Sequence, residues 1–138
     1  MNAVYVAVAT SMGIGREGHV ETDDGKISLD LAVPKALGGS GAGTNPEQLV
    51  AMGYAACFSS ALNLTARRRK VRLSTVEVTC AVRLRAADGG YALAFEITTQ
   101  LSGVAPEEAD RLIAEAHAVC AYSRAFARGA PATARRAA

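Results

Sequence analysis

The sequence predicts an α+β fold in which an antiparallel sheet packs with two main helices. Two runs, Thr75 to Arg85 and Tyr91 to Leu101, alternate apolar and polar residues on either side of Asp88-Gly89-Gly90. A period of two around such a turn is the signature of a β-hairpin. The stretch from Leu49 to Leu64, LVAMGYAACFSSALNL, carries no charge and is too long for a strand, so it reads as a buried helix. A second helix follows Pro106, where Leu112, Ile113, Ala116, Val119 and Cys120 recur at helical spacing.

At 138 residues the chain fits one domain, residues 1–138, with a weakly patterned tail after about residue 130. Half of the residues are apolar, which argues against disorder. Large apolar side chains are scarce: three Phe, four Tyr and no Trp. A core built mainly from Ala, Val and Leu buries little area per residue, so a partner subunit is expected to complete it. A net charge of +2 supplies no general field for nucleic acid. The N-terminus MNAVYVAVAT lacks a basic leader region and alternates like a strand, so no signal peptide is expected. The uncharged stretch falls short of the ~20 residues of a membrane span and contains Ser59, Ser60 and Asn63. The expectation is a soluble, cytoplasmic protein that neither binds nucleic acid nor spans a membrane.

Taken in order, residues 3–9 alternate as a first strand that feeds the turn SMGIGREG. Lys26 to Val33 alternates again, with Ile27, Leu29, Leu31 and Val33 on one face. Asp23-Asp24-Gly25 before it is a hairpin signal, with the residues around Val20 as the partner strand. Pro34 ends that run, and LGGSGAG is a loop. Asn45 is then the N-cap of the long helix, Pro46 its first position and Gln48 the closing residue of a capping box. The helix extends to about Ala66 and ends in RRRK, whose cations suit the C-terminal dipole. Apolar nearly all round, it is expected to be central and covered on most sides. In the hairpin, Val76, Val78, Cys80, Val82 and Leu84 share one face, answered by Tyr91, Leu93, Phe95, Ile97, Thr99 and Leu101. Glu107 and Glu108 place anions in the first turn of the second helix. The tail GAPATARRAA reads as a frayed edge strand or a disordered segment.

Three cysteines are too few, and odd in number, for a disulfide framework. In a reducing compartment they are packing groups, metal ligands or catalysts. Cys80, between Val78 and Val82 on an apolar strand face, reads as core packing. Cys57 and Cys120 stay open on residue grounds. Both suit a core, but Tyr122-Ser123-Arg124 follows Cys120 directly and polar residues stand one turn from Cys57. An apolar setting raises a thiol above its free pKa of about 8.5, which leaves it inert unless a cation offsets the burial. Arg16, in Gly15-Arg16-Glu17-Gly18, is either a solvated turn residue or a guanidinium that reaches inward and holds Cys57 as thiolate. Glu47, at the second helical position, either compensates the helix dipole or orients Arg16 through a bidentate pair.

The segment VPKALGGSGAGTNPEQL at 33–49, running on to GYAACF at 53–58, resembles the organic hydroperoxide resistance proteins. These are a branch of the superfamily that includes the osmotically inducible protein C. The GREG turn at 15–18 and VCAYS at 119–123 match the same family in order and spacing, so the resemblance covers residues 3–130. It implies the OsmC/Ohr-like fold as an intertwined homodimer, with two active sites at the subunit interface. It further implies thiol-dependent reduction of organic hydroperoxides, fatty-acid hydroperoxides included, to alcohols. No metal and no bound cofactor are implied; the reductant is an external dithiol, dihydrolipoamide or a lipoylated protein. By position, Cys57 matches the peroxidatic cysteine and Cys120 the resolving one, while Arg16 and Glu47 match the arginine and glutamate that organise the thiolate.

In that chemistry the Cys57 thiolate attacks the distal peroxide oxygen, and Arg16 stabilises charge developing on the oxygens. Cys120 condenses with the Cys57 sulfenic acid to a disulfide, which a dithiol reopens by exchange. Ala56, Phe58 and Leu62 offer an apolar place for an alkyl tail. Spacing adds a constraint of its own. Glu47 and Cys57 are ten residues apart, which is about 15 Å along a straight helix and about 80° around it. One guanidinium meets both only if part of the Arg16–Glu47 pair comes from the other subunit, or if the helix is interrupted near Gly53. The chain also departs from the family pattern, with Ala121 where proline is common and Arg124 where asparagine is. The helix is therefore expected to run on past Cys120, with Arg124 adding charge beside it. Three rival readings stand beside this one. His117, Cys120 and Cys57 supply three zinc ligands; the apolar cleft holds a ligand in a non-catalytic, redox-sensing domain of the same superfamily; or RRRK with Val71-Arg72 forms a nucleic-acid or import patch, though no aromatic platform accompanies it.

Overall fold

The structure, a computed structural model, describes residues 2–137. The chain forms two compact units, Met1–Leu49 and Val50–Ala138.

In the first unit, strands β1 (Ala9–Met12), β2 (His19–Thr22) and β3 (Ser28–Asp30) make an antiparallel sheet in the order β1-β2-β3. Ala9 stands opposite Thr22, and His19 opposite Asp30. The β2–β3 hairpin turns at the expected Asp23-Asp24-Gly25, with Gly25 in the left-handed region at φ 70°. The first strand is shorter than its alternation suggests. Residues 3–8 lie outside any strand, and Val4, Tyr5 and Val6 are 104%, 78% and 67% exposed. Alternation specifies which side chains share a face, but a ladder needs a partner backbone, and within the first alternating run β2 reaches only Ala9, with Thr10–Met12 continuing the pairing. β3 is likewise shorter than Lys26–Val33; Leu31 continues it as an isolated bridge to Thr44, and Ile27 is exposed. The glycine-rich loop returns tightly to this strand. A Cβ on Gly43 would sit 2.6 Å from the Asp30 carbonyl oxygen, so only glycine fits the return.

Helix α1 (Pro46–Arg68) begins where the sequence places it. The Gln48 backbone N–H donates to Asn45 Oδ1 at 2.9 Å, the expected N-cap bond. The capping box is not closed as anticipated: the Gln48 side chain accepts from the Thr44 hydroxyl at 2.9 Å. At the other end Lys70 turns left-handed at φ 57°, and the Val71 N–H donates to the Ala66 carbonyl at 2.8 Å, which stops the helix. Burial corrects the picture of a helix covered on most sides. Tyr54, Phe58, Ala61, Leu62, Thr65 and Ala66 form one buried stripe, whereas Met52, Ala56, Ser60 and Asn63 are exposed. Among the described residues α1 is the one helix long and apolar enough to cross a membrane by length and composition. Its buried stripe is core in the second unit.

That unit is built on the hairpin of β4 (Thr75–Ala87) and β5 (Gly90–Ser102), paired from Thr75–Ser102 to Ala87–Gly90. Val76, Val78, Cys80 and Val82 alternate inward as expected, and the inner face packs on a core of Tyr54, Phe58, Leu62, Leu112, Ala116 and Cys120. Cys80 joins that packing, its thiol pushed up by burial. Helix α2 (Pro106–Val119) follows, and then α3 (Ala121–Arg128), a third helix that corrects the expected two. Residues 129–137 have no regular structure and are exposed.

Candidate active site

Cys57, in the middle of α1, and Cys120, between α2 and α3, bring their sulfurs to 3.4 Å. Both are free thiols. Cys120 is 1% exposed whereas Cys57 is half-buried, so Cys57 is the one a solute meets first. A cavity of about 160 Å³ opens on the pair, lined also by Ser60, Leu64, Val119 and Ala121. Most of these neighbours are apolar.

The placement of Cys120 corrects the expectation that α2 runs past it. The Cys120 N–H still donates to the Ala116 carbonyl at 2.8 Å, but its ψ of 126° is extended, and its own carbonyl accepts from the Arg124 N–H at 3.0 Å to begin α3. No proline is needed for this break. Ser123, three residues on, is 1% exposed, with its hydroxyl 2.9 Å from Tyr54 Oη and 3.1 Å from His117 Nδ1. One buried and one part-buried hydrogen bond, with a buried thiol, outweigh the tenths of a kcal/mol per residue that helix propensity offers for continuing straight.

This Ser123 network is the part of the site the sequence reading passes over. Tyr54 lies three residues before Cys57 and Ser123 three residues after Cys120, so the hydrogen bond runs beside the thiol pair and joins the same two elements. Tyr122 reinforces the join: its ring stacks on Tyr54 at 5.8 Å, and a Cβ on Gly53 would lie 2.7 Å from its hydroxyl. The available signal was Tyr122 and Phe126 at i, i+4 with Gly129 closing the turn, a short amphipathic helix. His117 meets the Ser123 hydroxyl through Nδ1, and among the described residues no three His, Cys, Asp or Glu side chains converge to hold a metal.

The electrostatics of Cys57 are divided. Burial, the largest influence, pushes its thiol up, and the neighbouring Cys120 adds to that. Opposing them, the backbone N–H groups of Tyr122 and Ala121, in the first turn of α3, favour the thiolate. The balance within this chain is upward.

In the first unit Arg16 lies in a single 3-10 turn, Gly15–Glu17. Its Nη1 and Nη2 donate to the two carboxylate oxygens of Glu47 at 2.7 and 2.6 Å, a bidentate pair. Arg16 is thus a turn residue whose head group is paired, with its side chain still 37% exposed. Its neighbour Glu17 secures the turn by accepting from the Val33 N–H at 3.2 Å. The Arg16 guanidinium beside Glu47 holds that carboxyl below the usual carboxylate range. An interruption of the helix near Gly53 is overturned, because α1 is continuous from Pro46 to Arg68.

The family pattern described as OsmC-like protein matches residues 38–135. The organic hydroperoxide resistance protein OhrA of Bacillus subtilis (strain 168) is 43% identical over 129 residues, covering 88% of each chain. The organic hydroperoxide resistance protein of Xanthomonas axonopodis pv. citri is 40% identical over 124 residues, covering 88% of this chain and 87% of its own. Among solved structures, an organic hydroperoxide resistance protein OsmC from Legionella pneumophila superposes with a TM-score of 0.88 at 46% identity, covering 93% of each chain. OhrB of Bacillus subtilis superposes with a TM-score of 0.81 at 37% identity, covering 92% of this chain and 93% of its own.

Proposed function

The chain belongs to the organic hydroperoxide resistance branch of the OsmC-like family, and from that membership we propose that it is a thiol peroxidase reducing organic hydroperoxides to alcohols. The observation that carries the reading is the 3.4 Å approach of Cys57 and Cys120, two thiols 63 residues apart in sequence. The Cys57 thiolate attacks the distal oxygen of ROOH; the O–O bond breaks, RO⁻ takes a proton and leaves as alcohol, and Cys57 becomes a sulfenic acid. Cys120 then attacks that sulfur, expelling water and forming the disulfide. An external dithiol, dihydrolipoamide or a lipoylated protein, returns both cysteines to thiols by exchange and is itself oxidised. Neither a metal nor a bound organic cofactor enters these steps.

Arg16 and Glu47 organise the thiolate in this proposal. Burial raises Cys57 within its own chain, so the reaction needs a cation, and α1 runs unbroken between Glu47 and Cys57. The cation therefore comes from the Arg16–Glu47 pair of a second subunit in a homodimer. Exposed Val4, Tyr5 and Val6, and the open Met52 side of α1, support such a dimer, since apolar surface of this kind marks association. The protein works in the cytoplasm.

Steady-state consumption of cumene hydroperoxide with dihydrolipoamide tests the reading. Cys57→Ser is expected to abolish turnover, and Cys120→Ser to allow one attack and then stall. A wild-type protein that binds apolar ligands but turns over no hydroperoxide is instead a redox-sensing domain.

A further inference from the structure

We propose that Ser60 is a further catalytic residue of the thiol site, its hydroxyl donating a hydrogen bond to the leaving oxygen of the hydroperoxide and handing it a proton. The proposal rests on the peroxidase reading and adds a residue to that same site.

The thiol cavity of about 160 Å³ is walled by Ala61, Leu64, Val119 and Ala121 around the two sulfurs, and Ser60 supplies the one hydroxyl among these side chains. Ser60 stands three residues after Cys57 on α1. Residues at this spacing are neighbours on a helix surface, with Cβ atoms about 5–6 Å apart. Each Cα–Cβ bond of a helix tilts toward the N-terminus, so the Ser60 side chain leans back over the turn that carries Cys57. Other polar side chains of α1 bond to the helix itself: Asn63 donates to the Ser59 carbonyl and Thr65 to the Leu62 carbonyl, both at 2.9 Å. Among the described residues no hydrogen bond engages the Ser60 hydroxyl, which leaves it to the cavity.

The reaction needs a donor at this place. As the Cys57 sulfur bonds to the distal oxygen, the O–O bond breaks and both of its electrons go to the oxygen attached to carbon. Charge thus passes from the thiolate to RO⁻, while the distal oxygen keeps its proton and stays on sulfur as the sulfenic acid. In bulk water the solvent would meet the new charge, but an alkyl group filling an apolar cavity displaces that water. A hydroxyl already in place costs no reorganisation at the moment of reaction. Ser60 donates to RO⁻, passes its proton across that bond and recovers one from water, to which its exposure leaves a path. The alcohol departs and the serine is unchanged. Arg16 and Glu47 organise the thiolate; Ser60 serves the other end of the O–O bond.

The test compares cumene hydroperoxide with peroxybenzoic acid, an aromatic peroxide of similar size whose leaving group is a carboxylate that needs no proton. Loss of the Cys57 thiol in a single turnover is followed by quenched mass spectrometry in wild type, Ser60→Ala and Ser60→Thr. Alanine is the strongest helix former, so Ser60→Ala keeps α1. The ratio of the two rates within one protein cancels any general loss of activity. Ser60→Ala is expected to slow cumene hydroperoxide about ten- to a hundredfold, the size of a hydrogen bond to a charged group, and to leave peroxybenzoic acid within about twofold. Ser60→Thr keeps the hydroxyl and should hold the wild-type ratio. An equal change in both rates, or none, overturns the proposal; an equal loss with a shifted midpoint of Cys57 alkylation makes Ser60 a neighbour that favours the thiolate instead. A Ser60→Thr protein with the ratio of Ser60→Ala overturns it too. If Cys57 of wild type reacts with neither peroxide, the peroxidase reading falls and Ser60 with it, whereas normal wild-type reaction with an unmoved ratio removes Ser60 alone.

Discussion

At the scale of single residues, Cys57 combines an accessible sulfur with a raised thiol, and its reactivity depends on which neighbours favour the charged form. A cation lowers a thiol pKa, so Arg16→Ala should move the midpoint of Cys57 alkylation by iodoacetamide to higher pH, and slow alkylation at neutral pH about tenfold for each unit of that shift. An unchanged midpoint would remove Arg16 from the mechanism. For Glu47 the sign runs the other way. Its folded pKa lies below its unfolded value, so the Arg16–Glu47 pair contributes fully above the ordinary carboxylate pKa and is lost as pH falls through the lower folded value. Activity limited by this pair therefore fails only on the acid side, below the ordinary carboxylate range. Ser123→Ala leaves the buried Tyr54 hydroxyl without its partner, at a cost of about 1–3 kcal/mol in urea unfolding. The same variant should accumulate more sulfinic acid on Cys57 under excess peroxide, because Cys120 is less well held.

At the scale of elements, the turn that presents Arg16 is closed by Gly18, where a Cβ would meet the Met12 carbonyl oxygen at an impossible distance. Gly18→Ala should lower the thermal midpoint and reduce kcat/KM together, whereas Gly15→Ala meets no atom within 4 Å but strains a left-handed φ of 48°. The first change acts through backbone contact and the second through conformation alone, so the two losses should differ, Gly18→Ala being the larger. The elements best read from sequence were those that local chemistry dictates. Asn45-Pro46 set the start of α1, and alternation set the faces of β4 and β5. The elements read poorly were those that distant partners decide. Nothing in Val119-Cys120-Ala121 announces a break, because it is made by Tyr54 and His117 converging on Ser123. The extent of β1 depends on how far β2 reaches, which no alternation encodes. The approach of Cys57 to Cys120 and the pairing of Arg16 with Glu47 were each legible through the quoted motifs, but the Ser123 network was not. It involves no unusual residue, only an unusual meeting of ordinary ones.

At the scale of the whole molecule, an alanine-rich core and a row of exposed apolar residues belong to the same problem. Val4, Tyr5, Val6 and Ile14 expose apolar surface that one chain leaves uncovered, and a second copy is the occupant proposed for it. Sedimentation should give a dimer. Replacing Val4 and Val6 by glutamate should shift the distribution toward monomer and reduce peroxidase activity in the same proportion, since each site would take its cation from the partner. A monomer that keeps full activity would place the whole site within one chain. The proposed mechanism divides its labour between two thiols, and intact-mass measurement after one equivalent of cumene hydroperoxide reads that division directly. Wild type should lose two hydrogens as the Cys57–Cys120 disulfide forms, Cys120→Ser should gain oxygen on Cys57 alone, and Cys57→Ser should not change. Oxygen on Cys120 in the Cys57→Ser protein, or a wild-type disulfide that excludes Cys57, would contradict the mechanism.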